Sequence, residues 1–159
     1  LLRLHRHTRA NLLVMGGTRA RRLAVVRAIH QGSPLAGEPL VALDCTKDEP
    51  RLARTLQRWL LVSSTPCADE NELKEPIGVL YLDSIADLSP ATQRLLLMLA
   101  HRLQGQQSDT RTPGPARLMA GDRTDLIRAA EAGRVSGALI DHLDKIRVEL
   151  GQRRSRGAA

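Results

Sequence analysis

The sequence predicts an α/β fold on a mainly parallel sheet, and three observations predict it. Five short apolar runs alternate with stretches of helical periodicity along the 159 residues. The first three runs are continuous rather than alternating, as expected of strands covered on both faces. The first run also ends in Gly16-Gly17 directly before a helical stretch, the way a phosphate-binding loop begins. Parallel strands joined by right-handed crossovers place ligands at the strands' carboxyl ends, here after Met15 and after Leu82.

Taken in order, the strands are NLLVMG (11–16), LVALDC (40–45), GVLYLD (78–83), ARLMAGD (116–122) and KIRVEL (145–150). A helix from Arg19 to Gln31 turns Leu23, Val26, Ala28 and Ile29 to a core and stops at Gly32-Ser33-Pro34. A second, Pro50 to Val62, repeats Leu52, Leu56 and Leu60, with Pro50 suited to a first turn. Ser89-Pro90, a cap followed by a good first residue, opens what should be the longest helix, striped by Leu95, Leu96, Leu99 and Leu103. Loops are expected at 63–76 and at the Gly/Gln/Ser/Pro-rich 105–115, the second mobile. One domain over 1–150 and a disordered tail over 151–159 account for the whole length. The start at Leu1, without an initiating Met, suggests a piece of a longer protein.

Composition narrows the function. Apolar residues make up 42%, an ordinary globular content. No run approaches the roughly 20 apolar residues of a membrane span, and no signal peptide precedes the first strand, so no membrane partner is expected. Cys45 at a strand end and Cys67 in a loop make no disulfide framework and suit a reducing cytoplasm. His5 and His7 lack further ligands, and no metal site is expected. The net charge of +7 is almost wholly arginine, with Lys47, Lys74 and Lys145 the only lysines. That charge permits a nucleic-acid surface, or reflects a GC-rich genome; Trp59 and Tyr81 alone offer too little stacking surface for a single-strand binder.

The anchors ANLLVMGG, RAIHQGSP, PLVALDC, GVLYLDSIADLSPATQRLLLMLAHRLQ, RLMAGDRTDL and DHLDKIRVEL stand in one order and spacing. Together, over roughly residues 8–150, they resemble the central AAA+ domain of bacterial sigma-54-dependent activators. The resemblance implies a P-loop NTPase-like three-layer core around a five-stranded sheet. It also implies that the family's helical lid and DNA-binding helix-turn-helix lie outside this chain.

The family's chemical positions can be examined one by one. Its loop reads GESGTGKE; here Gly16 is kept, Gly17 replaces the Glu, Thr18 follows, and Arg19 and Arg21 fall on two glycines. A side chain forced into left-handed geometry costs ~1–2 kcal/mol, and it crowds the phosphate. Arg22 falls on the phosphate-binding lysine and Leu23 on the residue after it, so no hydroxyl for magnesium remains. Asp83 matches the metal-holding aspartate of the third strand, but Ser84 stands where a Glu prepares the attacking water. Losing that base should cost ~10²-fold or more in hydrolysis. Arg123 replaces the sensor asparagine and Asp122 the preceding threonine, while Ser136 and His142 align with two arginine fingers. An arginine finger is worth ~10³–10⁵ in rate. Between Cys45 and Gly78 nothing resembles the GAFTGA loop with which the family touches sigma-54, so contact with the RNA polymerase sigma factor is not expected.

Each residue also has a plainer reading. Asp83 could survive as a metal ligand, but a strand-end carboxylate beside a helix start suits a cap, and retention for structure is the preferred expectation. Arg19, Arg21 and Arg22 could bind an anion at a helix N-terminus, though a solvated helix face is the preferred expectation. His30 should pack near its helix end, Tyr81 and Trp59 should anchor the core, and Cys45 should be buried and inert. Gly16, Gly17, Thr18, Arg19, Arg21, Arg22 and Asp83 are therefore expected to form a degenerate nucleotide pocket. No catalytic residue is assigned, and neither ATP nor magnesium is expected to be held tightly. The chain should serve as a regulatory or oligomerisation scaffold that works with other domains of a transcriptional regulator, able to self-associate and reaching DNA through a domain not in this chain. A divergent working ATPase that activates sigma-54 transcription, and a basic domain that touches DNA itself, are the alternatives.

Overall fold

The computed structural model describes residues 9–61, 72–73, 77–105 and 114–151. Strands β1 (Leu12–Gly16), β2 (Leu40–Asp44), β3 (Val79–Asp83), β4 (Arg117–Asp122) and β5 (Ile146–Leu150) form one sheet in the order β2-β3-β4-β1-β5. Every neighbouring pair runs parallel. Each expected strand is found, shorter by one residue at an end. The helices are α1 (Arg19–Gln31), α2 (Cys45–Leu61), α3 (Pro90–Gly105), α4 (Leu126–Glu131) and α5 (Gly137–Leu143), with a 3-10 turn over Ile85–Asp87.

Strand pleating sorts the core into two layers. Leu12, Val14, Val79, Tyr81 and Met119 face Val26 and Ile29 of α1. Leu13, Met15, Leu80, Leu82, Leu118 and Ala120 face Leu56 of α2, Leu96 and Leu99 of α3, Leu126 of α4 and Leu139 of α5. The sheet is thus sandwiched, and β3 is buried along its whole length. Each fully buried leucine contributes about 1.5–3 kcal/mol, so this paired burial holds the layers together. No helix among the described residues is long and apolar enough to cross a membrane.

Three expectations about helices need correction. Helix α2 begins at Cys45, not Pro50, so Cys45 is a helical residue rather than the end of a strand. The cause is a reciprocal cap: Asp44 Oδ1 accepts from the Thr46 amide at 3.0 Å and its hydroxyl at 2.6 Å, while Asp48 Oδ2 accepts from the Asp44 amide at 3.1 Å. Pro50 consequently sits inside the helix and costs it one backbone bond. Helix α2 has 17 residues and α3 has 16, so α3 is not the longest. Helices α4 and α5 were not foreseen, being too short at 6 and 7 residues to show an apolar period. Their caps, Asp125 and Ser136, are their clearest marks. The loops at 63–76 and 105–115 lie largely outside the described residues, as do His5, His7, Cys67 and all of the tail after Gly151.

Candidate functional site

The corner between β1 and α1 lies at the carboxyl end of the sheet. Gly16 and Gly17 both take left-handed backbone, φ +87° and +63°. A Cβ on Gly16 would stand 2.3 Å from the Leu150 carbonyl oxygen, so glycine is required there by the passing β5. Thr18 then caps α1: its Oγ1 accepts from the Arg21 amide at 3.1 Å and its carbonyl from the Arg22 amide at 3.0 Å. Positions 19–21, aligned with the family's glycine-rich loop, are thereby wound into the first helical turn. The left-handed strain expected at Arg19 and Arg21 is not incurred, because both are helical.

The expectation of a solvated arginine face is also corrected, because Arg22 is only 3% exposed. Its Nε donates to Asp83 Oδ1 at 2.8 Å and its NH2 to Asp83 Oδ2 at 3.1 Å. Its NH1 donates to the carbonyls of Gly16 at 3.1 Å and Gly17 at 2.8 Å. Arg19 adds an outer layer, Nε to Asp83 Oδ2 at 3.1 Å and NH1 to Asp44 Oδ2 at 2.6 Å. Only Arg21 of the three has an exposed side chain without an ion pair among the described residues.

Asp83 does not cap a helix; it is the hub of this cluster. Beyond the two arginines it accepts from the Tyr81 hydroxyl and, at 3.4 Å, from Ser84 Oγ. Tyr81 lies two residues back on the same face of β3 and passes over Gly121, where a Cβ would come within 2.2 Å of its hydroxyl oxygen. Burial alone would raise the Asp83 carboxyl, but hydrogen bonds from Arg22 and Tyr81, with Arg22's charge and Arg19, hold it below the ordinary carboxylate value. The bond to Asp83 raises Arg22 in turn, against the pull of burial. Burial and then Asp83 push the Tyr81 phenol up.

The remaining positions fall around this hub. Ser84 takes left-handed backbone, φ 59°, the sole non-glycine among the described residues to do so. Asp122 is buried and bound to the Ala86 amide at 3.0 Å and to the Thr124 amide and hydroxyl, tying β4 to the turn after β3. Arg123 is exposed and lines, with Arg19, Ser84, Asp87 and Arg134, a cleft of about 630 Å³ beside the cluster. Ser136 caps α5 and His142 lies in its last turn. His30 is buried with Nε2 2.9 Å from the Glu38 carbonyl, and Trp59 and Tyr81 are buried in the core. Cys45 is buried too, and burial pushes its thiol up, away from the reactive thiolate. Spacing alone did not reveal Tyr81, Asp44 and Arg134; the first two follow once β2 and β3 are paired in register, Asp44 beside Asp83.

The strand order, the two layers of helices and the glycine corner define a P-loop NTPase-like domain of the AAA+ type. No protein-family model matches the chain. It is 31% identical over 140 residues to the anaerobic nitric oxide reductase transcription regulator NorR of Aeromonas salmonicida, covering 84% of this chain and 27% of the regulator. It is 29% identical over 153 residues to the transcriptional regulatory protein ZraR of Escherichia coli, covering 92% and 35%. The chain thus spans about a third of the length of the curated relatives it matches. Among solved structures, NtrX from Brucella abortus in complex with ATP superposes with a TM-score of 0.70 at 21% identity, over 94% of this chain and 33% of that one. The P-loop NTPase domain of a sigma-54 transport activator from E. coli gives 0.54 at 21% identity, over 87% and 93%. The chain is thus similar over most of its length to part of these transcriptional regulators, and it shares the fold of the sigma-54 activator's P-loop NTPase domain.

Proposed function

We propose that this domain is a nucleotide-independent scaffold of a transcriptional regulator, a AAA+ core without ATP hydrolysis that joins and positions the regulator's other domains. One observation carries the proposal: the buried Arg22 guanidinium occupies the corner itself, bound to both oxygens of Asp83 and to the carbonyls of Gly16 and Gly17. A magnesium nucleotide does not suit these residues. A phosphate cradle needs a loop of outward amides, and two of the amides here already serve the Thr18 cap. A metal ion needs a free carboxylate oxygen, and both oxygens of Asp83 are engaged by cations. Ser84 in place of a water-preparing Glu, and Ser136 and His142 in place of finger arginines, support the same reading. Self-association would then rest on protein contacts alone.

Calorimetric titration with ATP and ADP, with and without magnesium, tests this. The expected outcome is no heat and no shift in melting temperature at millimolar nucleotide. Micromolar binding would overturn the proposal and favour a working ATPase, since the arginine cluster would have to open for the ligand.

A further inference from the structure

Beside the arginine cluster, the carboxyl end of the sheet opens into two clefts that share Arg123 and Thr124 as wall residues, and so form one trough. The first, of about 1190 Å³, lies against Thr18, Arg21, Asp125 and Gly151. The second, of about 630 Å³, lies against Arg19, Ser84, Asp87 and Arg134. Arg21, Arg123 and Arg134 are exposed, and none of these side chains has an ion pair or hydrogen bond among the described residues. Their backbone positions are nonetheless fixed. Arg21 stands in the first turn of α1, and Asp122, bound to the Ala86 and Thr124 amides, holds the chain on both sides of Arg123. The Arg134 amide donates to the Ala129 carbonyl at 2.9 Å. Cations carried on a fixed backbone lose less freedom on binding a ligand than cations on a mobile loop.

Three unpaired guanidinium groups call for an anionic ligand, and three features choose among anions. Among the described residues, no aromatic or large apolar side chain lines either cleft, so a nucleotide base would find nothing to stack on. The first cleft alone exceeds the roughly 300–1,000 Å³ of a small-molecule pocket, which suits an extended segment. The exposed Asp87 carboxylate stands among the cations with no side-chain bond among the described residues. It would repel a phosphodiester chain, which has no donor to offer, but would accept an amide from a peptide.

We infer that this trough receives an extended acidic peptide segment from another domain of the regulator, its carboxylates paired by Arg21, Arg123 and Arg134. The inference rests on the scaffold reading, since the phosphates of a bound nucleotide would claim the same corner. The occupant is assigned to a flanking region because the curated relatives extend well beyond the matched part, and the tail after Gly151 carries Arg153, Arg154 and Arg156 but no acid. Fluorescence anisotropy of a dye-labelled peptide of alternating Glu and Gly, added to the full chain, tests it. A peptide of alternating Lys and Gly and a labelled DNA duplex serve as controls. The acidic peptide should bind at tens to hundreds of micromolar in low salt and weaken as salt is raised, the controls binding at least about tenfold more weakly. Arg123→Ser combined with Arg134→Ser should weaken peptide binding at least about tenfold at an unchanged melting temperature, because both side chains are exposed and unbonded. Arg27→Ser, on an exposed position of α1 that lines neither cleft, should change it less than about twofold. No peptide binding below about 1 mM, binding untouched by the paired arginine changes, or a duplex bound as tightly as the acidic peptide would overturn the inference. Peptide and ATP both failing to bind would overturn this inference alone, whereas displacement of the peptide by micromolar ATP would sink the scaffold reading with it.

Discussion

Two buried arginines at opposite ends of the sheet show what burial does to the same side chain. Arg22, at the carboxyl end, is 3% exposed and makes four hydrogen bonds, two of them to a carboxylate. Arg117, at the amino end of β4, is 0% exposed, yet only its Nε is bonded, to the Ala10 carbonyl at 2.7 Å. Its two terminal nitrogens have no hydrogen-bond partner among the described residues. Bonding to Asp83 raises Arg22, whereas burial pulls Arg117 down to about 10. Desolvating a charge is expensive at either end; among the described residues, a counter-charge offsets it at the first end alone. The chain therefore places its compensated buried arginine at the glycine corner after β1.

The largest effect should come from breaking the compensated end. Arg22→Ala leaves Asp83 buried with Arg19 as its remaining cation, and releases the carbonyls of Gly16 and Gly17. Removing one partner of a buried pair costs about 3–5 kcal/mol. Urea unfolding should show that loss with an unchanged m-value; a loss under 1 kcal/mol would mean that the cluster contributes little to stability.

That cluster also marks where sequence reasoning reached and where it stopped. The five strands and their covering on both faces were legible because continuous apolar runs and helical stripes are properties of neighbouring residues; the order of the strands in the sheet was not. The Asp44 cap was not, since it needed β2 to end one residue early and the chain to turn at once into α2. The fate of Arg22 illustrates the same limit. The alignment put an arginine on the lysine position and an aspartate at the end of β3, but a helix face and an ion pair differ only by where the side chain points. Helices α4 and α5 are too short to show an apolar period, and the meeting of His101 with His142 depends on tertiary packing that no local spacing encodes.

A second measurement sharpens the comparison by removing the counter-charge instead. Asp83→Asn keeps an oxygen that can accept from Arg22 Nε but turns the other side of the group into a donor facing Arg22 NH2 and Arg19 Nε. The expected cost at neutral pH is about 2–3 kcal/mol. The folded Asp83 carboxyl lies below its ordinary value, so its contribution is present above the unfolded pKa and is lost as pH falls through the folded one. The gap between wild type and variant should thus be constant above about pH 5 and narrow steadily below it. A gap that stays constant down to pH 2 would show that Asp83's charge is not what holds Arg22.

The smallest effect is expected at the uncompensated end, and its sign is what matters. Arg117→Met keeps most of the side-chain length, gives up the bond to the Ala10 carbonyl and removes a guanidinium whose terminal nitrogens have no hydrogen-bond partner among the described residues. The lost bond costs about 1 kcal/mol, and relief of the desolvated guanidinium returns a similar amount or more. Thermal unfolding should therefore place this variant within about 1 kcal/mol of wild type, on either side. If Arg117→Met instead cost as much as Arg22→Ala, Arg117 would have to be stabilised by more than its single bond. The contrast between a paired and an unpaired buried arginine would then fail.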